Sequence, residues 1–309
     1  MLIQAIKVAR PLHWIKNLSI FAALIFSGNL FDPTLQSLAF WAFISFSLAT
    51  SATYIFNDIR DVKLDQLHPV KKSRPMASGR LPVSVAVIEM VILLFASLYV
   101  AKLLLHPLFT VSVLAYLILQ FFYSLYFKNI AVLDILIIAS GFIIRVYAGA
   151  FVTDTHLSVW FLLCVISVAL FLASGKRRAE LGILDRKKVT RKSLMKYDRE
   201  LLNSYVTMFG NAAWVSWALF TFFESPRVST PIWLFFAEIS RTTTISKFLM
   251  ITIPVVIFAI MRYQKLIFEG KSEAPENLLL KDYSLVLSVL LWVLMVVSIL
   301  YGGNLNVYS

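Results

Sequence analysis

Asn57, Asp58, Asp61 and Asp65 follow a long apolar run and are spaced by one, three and four positions. On a helix such spacings place the four side chains within an arc of roughly 100°. Three carboxylates on one stripe repel each other, and gathering them at a membrane surface makes physical sense if a divalent cation neutralises them. Carboxylates, one amide and phosphate oxygens suit Mg²⁺, which takes few protein ligands and keeps some of its waters. The expected metal ligands are Asp58, Asp61 and Asp65, with Asn57 beside them. The plainer alternative, a solvated helix end, accounts for one acid better than for three on one face. Lys71, Lys72 and Arg74 follow closely. Arg grips phosphate with a planar fork and Lys acts as a point charge. An acid stripe followed by a basic turn suits a diphosphate bound through metal ions. Asp58, Asp61, Lys71 and Arg74 are therefore the expected catalytic set, and His68, ahead of a proline, reads as a turn residue.

A second charged stretch begins Lys176-Arg177-Arg178-Ala179-Glu180, and ten basic against four acidic residues lie between Lys176 and Glu200. If a helix continues there, Lys176, Arg177 and Glu180 share one face within roughly 100°. One acidic and one basic half suit a ligand with several phosphates, only some of them metal-bound. The plainer reading of the basic half is a topogenic cluster that meets lipid headgroups. Inside apolar runs stand Glu89, Asp134 and Arg145. An intramembrane Arg costs at least about 2.5 kcal/mol at the helix centre, so Arg145 needs a partner or a polar cavity. It could bind phosphate, fix Asp134 through another helix, or serve packing alone. Tyr123, Tyr126 and Lys128 close an apolar run, as an aromatic belt with a snorkelling lysine or as part of a site.

These residues must be positioned by membrane helices. Of 309 residues, 59% are hydrophobic and 15% charged, against about 45–50% and about 25% in soluble domains. The chain reads as an all-α integral membrane protein with one domain over residues 1–309. Runs of about 20 apolar residues give nine candidate spans, at roughly 14–31, 35–56, 83–105, 108–127, 131–152, 157–174, 203–223, 247–267 and 283–301. A short interfacial piece from Pro231 to Ile239 could change that count. Between these spans, 24 Lys and Arg fall on one side and 4 on the other. The excess places the N-terminus and the charged loops in the cytoplasm. The net charge of +12 thus speaks of topology and not of nucleic acid. The start of the chain, Met1 to Pro11, is too polar and short for a cleavable signal. A lone cysteine, Cys164, excludes an intrachain disulfide and a cysteine-based metal site.

The stripe Asn57-Asp58-x-x-Asp61-x-x-x-Asp65 resembles the first aspartate motif of the UbiA prenyltransferase superfamily. Arg10-Pro-x-His13-Trp14-x-Lys16-Asn17, His68-Pro69-x-Lys71-x-x-Arg74-Pro75, Tyr123-Ser-x-x-Phe-Lys128, and Asp134 with Gly141-Phe-x-x-Arg145-x-x-x-Gly149 are similar to its decaprenyl-phosphate phosphoribosyltransferase branch. The resemblance runs from about Arg10 to at least Glu180. Ordinary members carry a second aspartate stripe after the sixth span, where this chain has Lys176, Arg177 and Arg178. The resemblance implies a UbiA-type bundle and Mg²⁺-dependent transfer of 5-phosphoribose from 5-phosphoribosyl 1-diphosphate to a polyprenyl phosphate at the cytoplasmic face of the cell membrane. It implies Lys16, Asn57, Tyr123, Lys128, Arg145, Lys176, Arg177 and Glu180 as substrate-binding residues. The product would lead towards an arabinofuranose donor for the cell envelope. A greasy acceptor needs an apolar groove, and Gly141, Ala148 and Gly149 are small enough to leave room for one. An aromatic-acceptor prenyltransferase is the alternative, disfavoured by the missing second stripe. A lipid transporter is a second alternative, disfavoured by the lack of a convincing repeat. Isoprenoid length and oligomeric state, a homo-oligomer included, stay open.

Overall fold

The computed structural model describes residues 2–67, 71–104, 106–183, 193–224, 245–269 and 281–302. Those residues are all-helical, without a strand among them. Eight of the helices are long and apolar enough to cross a membrane. They divide into two compact units, one of Met1–Leu24, Leu30–Thr155 and Leu184–Tyr197, the other of Ile25–Asn29, His156–Ile183 and Asp198–Ser309.

The first unit contains α1 (Leu2–Ala9), a 3₁₀ helix (Pro11–Ile20), the start of α2 (Phe21–Phe26), α3 (Pro33–Leu67), α4 (Val83–Leu104), α5 (Pro107–Leu125) and α6 (Leu133–Val152). Helix α3 has 35 residues, about 52 Å at 1.5 Å per residue, against a hydrocarbon layer of about 30 Å. Its final turns, which carry the acids, therefore extend past the apolar layer. Helices α3 and α4 meet closely through Ser45 and Ser97, each hydroxyl donating to the other's carbonyl at 2.9 and 2.8 Å. Small hydroxyl residues allow such close approach in a membrane.

The expected first span, 14–31, is built differently. Residues 11–20 form a 3₁₀ helix and only Phe21–Phe26 is α-helical. With three residues per turn, a 3₁₀ helix aligns every third side chain. Here Trp14, Asn17 and Ile20 make that ridge. Asn17 and Ile20 are fully buried, and Trp14 Nε1 and Asn17 Nδ2 donate to Ser51 and Ser47 of α3 at 2.9 and 3.0 Å. Polar side chains that bind α3 hold the tighter winding, a preference that hydropathy does not register. On the other side, a Cβ added to Gly149 of α6 would lie 2.0 Å from the Ile20 carbonyl oxygen. The small residues expected to leave room for a lipid are thus filled from within the protein: Gly149 by the Ile20 backbone, Gly141 by the Arg145 guanidinium, while Ala148 is buried core.

In the second unit, α7 (Val159–Ile183) packs along α8 (Arg199–Phe223), and α9 (Ile253–Phe268) against α7, α8 and α10 (Tyr283–Tyr301). Phe171, Val206, Tyr263, Ile267 and Leu285 share its core. Asp282 caps α10 through the Leu285 N–H and takes both Nε and Nη2 of Arg262 at 3.0 and 2.7 Å. The segment Pro231–Ile239 lies outside the described residues.

Candidate active site

One face of α3 organises the site. Ser47, Ser51, Tyr54, Asp58, Asp61 and Asp65 recur at alternating spacings of four and three, which confines them to an arc of about 80° on a helix. The segment from Arg10 to Asn17 reads this face along its length. Asn17 binds Ser47, Trp14 binds Ser51, Lys16 Nζ donates to the Tyr54 hydroxyl at 3.3 Å, and Arg10 reaches Asp58. Ser51 in turn donates to the Ala9 carbonyl at 2.7 Å, which fixes where the segment begins. The Arg10 guanidinium and the Lys16 ammonium lie 5.1 and 6.0 Å from the centre of the Tyr54 ring.

Each acid is engaged by a cation. Arg10 Nη2 lies 2.5 and 2.6 Å from the two oxygens of Asp58. Arg74 Nη1 lies 3.1 Å from Asp58 and 2.5 Å from Asp65. Lys128 Nζ lies 2.5 Å from Asp61 and 3.3 Å from the amide oxygen of Asn57, whose Nδ2 donates to Asp61 at 3.1 Å. Asp58, Asp65 and Lys128 are buried. Three carboxylates are thus met by three cations on a partly buried wall. Pairs of this kind contribute little net stability but are costly to break singly.

Of the residues expected from sequence, Asn57, Asp58, Asp61, Asp65, Arg74 and Lys128 come together here. Lys16 lies beside them at Tyr54, Lys71 stands in the short 3₁₀ turn Lys71–Ser73, and Tyr123 is buried in the last turns of α5. Arg145 is placed otherwise. It is buried among neutral groups, donating to Asn17 Oδ1 and the Gly141 carbonyl at 2.6 Å each, and to Tyr116 and Thr50 at 3.0 and 3.3 Å. It thereby ties α6 to α3, α5 and the 3₁₀ segment. Lys176, Arg177 and Glu180 continue α7 in the second unit, where Arg177 pairs with Glu180 at 2.6 Å. His68 and the run Arg186–Lys192 lie outside the described residues. Arg10 and Tyr54 were not expected as site residues. The alternating four-three polar pattern inside an apolar helix is the signal that points to Tyr54.

Among the described residues, no three Asp, Glu, His or Cys side chains are gathered as a ready ligand set for a metal. Asp58 and Asp65 converge on Arg74, while Asp61 turns to Lys128. By donor type the stripe nevertheless fits a hard cation, since it offers three carboxylates and one amide and no nitrogen or sulfur ligand.

Fold and site together define an all-helical membrane protein with an acid stripe matched by basic side chains. The UbiA prenyltransferase family profile matches residues 18–275, and the chain belongs to that family. It is 36% identical over 293 residues to decaprenyl-phosphate phosphoribosyltransferase of Mycolicibacterium smegmatis, covering 93% of this chain and 89% of that protein. It is 34% identical over 301 residues to the protein of the same name from Corynebacterium glutamicum, covering 96% and 86%. In structure it is similar to a UbiA homolog from Archaeoglobus fulgidus bound to GPP and Mg²⁺, with a TM-score of 0.69 at 17% identity over 97% of this chain and 99% of that one. A Cd²⁺-bound structure of a UbiA homolog from the same organism gives 0.65 at 16% identity, over 98% and 100%. At such identities these structures share the fold alone.

Proposed function

We propose that this protein transfers 5-phosphoribose from 5-phosphoribosyl 1-diphosphate to a polyprenyl phosphate of the decaprenyl type, releasing diphosphate at the cytoplasmic face of the cell membrane. Its similarity to the two phosphoribosyltransferases, over more than nine-tenths of its length, carries this reading. The acid stripe and its cations supply the matching chemistry.

In the reaction, the bond from the anomeric carbon to the diphosphate oxygen breaks and its electron pair leaves with diphosphate. A lipid phosphate oxygen forms the new bond to that carbon. Negative charge grows on the leaving oxygens, and fixed cations stabilise it most effectively in a site that excludes water. Arg10 and Arg74 offer planar forks and Lys128 a point charge to those oxygens, with Lys16 and Lys71 adding positive charge. Asp58, Asp61 and Asp65 would hold Mg²⁺, which supplies countercharge to the diphosphate when bound. The acceptor phosphate, with a second pKa of about 6, is already largely ionised at neutral pH. The chain therefore needs no general base, in keeping with a site made of carboxylates, guanidiniums and ammoniums. Tyr123, buried in the last turns of α5, is proposed to contribute to the same site. Lys176, and Arg177 paired with Glu180, are proposed as further phosphate-binding cations on sequence grounds.

The test is incorporation of label from phosphoribosyl diphosphate into a lipid-soluble product by purified full-length protein with Mg²⁺ and polyprenyl phosphate. Asp58→Asn and Asp61→Asn should each abolish incorporation while the protein still purifies as a folded species. Full activity in both variants would overturn the assignment.

A further inference from the structure

Asp134, in the first turn of α6, is fully buried. Tyr197 Oη donates to its Oδ1 at 2.7 Å, and Ser193 Oγ lies 3.1 Å from its Oδ2. Both hydroxyls also grip one turn of backbone. Tyr197 Oη accepts the N–H of Val132 at 2.6 Å. Ser193 Oγ lies 2.8 Å from the carbonyl oxygen of Lys128, so its single proton is shared between that oxygen and the carboxylate. The gripped turn is in a conformation it would not choose. Val132 has φ 70, a region where a β-branched residue is a genuine outlier that persists only when its surroundings over-determine it. Lys128 lies within this turn, and its ammonium reaches Asp61 and Asn57 on α3.

We infer that Asp134, Ser193 and Tyr197 form a clasp that positions Lys128 against the acid stripe, and that through Lys128 they set the affinity for phosphoribosyl diphosphate. The three are positioning residues: they hold the backbone from which Lys128 extends. A lysine stem has four rotatable bonds, and fixing its root narrows the positions its charge can take. Ser193 and Tyr197 lie within the basic stretch, 65 and 69 positions after Lys128, so the clasp also ties that part of the stretch to the acid stripe. The inference rests on Lys128 being a phosphate ligand, and two measurements keep the two ideas apart.

The first measurement uses no substrate. Full-length protein in detergent is treated with an amine-reactive reagent, and labelling of Lys128 is followed by mass spectrometry. Tyr197→Phe and Ser193→Ala should each raise the labelling rate of Lys128 roughly three- to tenfold, the range expected from loss of one hydrogen bond, with other lysines unchanged. An unchanged rate in both variants overturns the clasp, and Ser193→Ala carries the test if Tyr197→Phe fails to fold. The second is a double-mutant cycle on kcat/KM for phosphoribosyl diphosphate. Tyr197→Phe should lower kcat/KM by a similar factor, and should add nothing in a Lys128→Met background. An equal decrement in both backgrounds overturns action through Lys128. A Lys128→Met variant with unchanged kcat/KM instead removes Lys128 from the substrate site, whatever the labelling shows.

Discussion

A single nitrogen of Arg10, Nη2, lies 2.5 and 2.6 Å from the two carboxylate oxygens of Asp58, 48 positions along the chain. The backbone of Arg10 is left-handed, with φ 53 and ψ 60, immediately before Pro11. That conformation costs a non-glycine residue about 1–2 kcal/mol, and a following proline narrows the choices further. The ion pair and the Ser51 bond to the Ala9 carbonyl hold the chain there. Strain kept beside an acid stripe fits a residue placed for function.

Arg10→Lys retains the charge but loses the planar fork proposed to meet the diphosphate, which makes it a sharp probe of that role. Catalytic efficiency with phosphoribosyl diphosphate should fall about 10- to 100-fold, the equivalent of one charge-assisted hydrogen bond. Steady-state kinetics of the purified variant checks this, and an unchanged kcat/KM would remove Arg10 from the site.

Gly149→Ala should be severe for so small a change. The new methyl would lie 2.0 Å from the Ile20 carbonyl oxygen, and backbone cannot swing aside as a flexible side chain can. Overpacking of this kind costs typically about 1–3 kcal/mol. Thermal unfolding in detergent should begin at a lower temperature, and activity should fall with it because the displaced segment also carries Lys16 and Arg10. Wild-type stability would show that the 3₁₀ segment does not pack on α6 as closely as described.

Arg145→Leu separates a packing role from a phosphate-binding one. The substitution removes the Arg145 bonds to Asn17 Oδ1, the Gly141 carbonyl, Thr50 and Tyr116, at a net cost of about 1–3 kcal/mol. The expected result is a lower unfolding temperature with the KM of the folded enzyme within about twofold of wild type. Wild-type stability with a sharply raised KM would assign the guanidinium to the substrate instead.

Much of this arrangement is legible in the sequence because helical periodicity is a local property. The acids at 58, 61 and 65 could be put on one face from spacing alone, while a substrate-binding role for Lys128 is implied only by the family resemblance. The acids' actual partners could not be found from spacing. Arg10 meets Asp58 across 48 positions, and Asp134 meets Ser193 and Tyr197 across 59 and 63. The broken first span was equally hidden. Hydropathy averages over a window and is blind to whether the backbone winds as an α or a 3₁₀ helix, while the polar residues that decide it bind a helix 30 and 37 positions away. Arg145 was recognisable as costly in an apolar run, yet its solution, a set of neutral oxygens and an aromatic face rather than an acid, depends on three other elements.

Chelation addresses the acid stripe as a whole. If Asp58, Asp61 and Asp65 hold a divalent ion during turnover, EDTA should abolish transfer and added Mg²⁺ should restore it. Without the ion these carboxylates still have Arg10, Arg74 and Lys128 as partners, so the unfolding temperature should barely move. Full activity in excess EDTA would exclude the ion from the reaction.

The most direct measurement is mass analysis of the lipid formed when purified protein receives decaprenyl phosphate, phosphoribosyl diphosphate and Mg²⁺. One phosphoribosyl group should be gained by each acceptor, with one diphosphate released. A lipid of unchanged mass, or diphosphate released without a glycosylated lipid, would contradict the account.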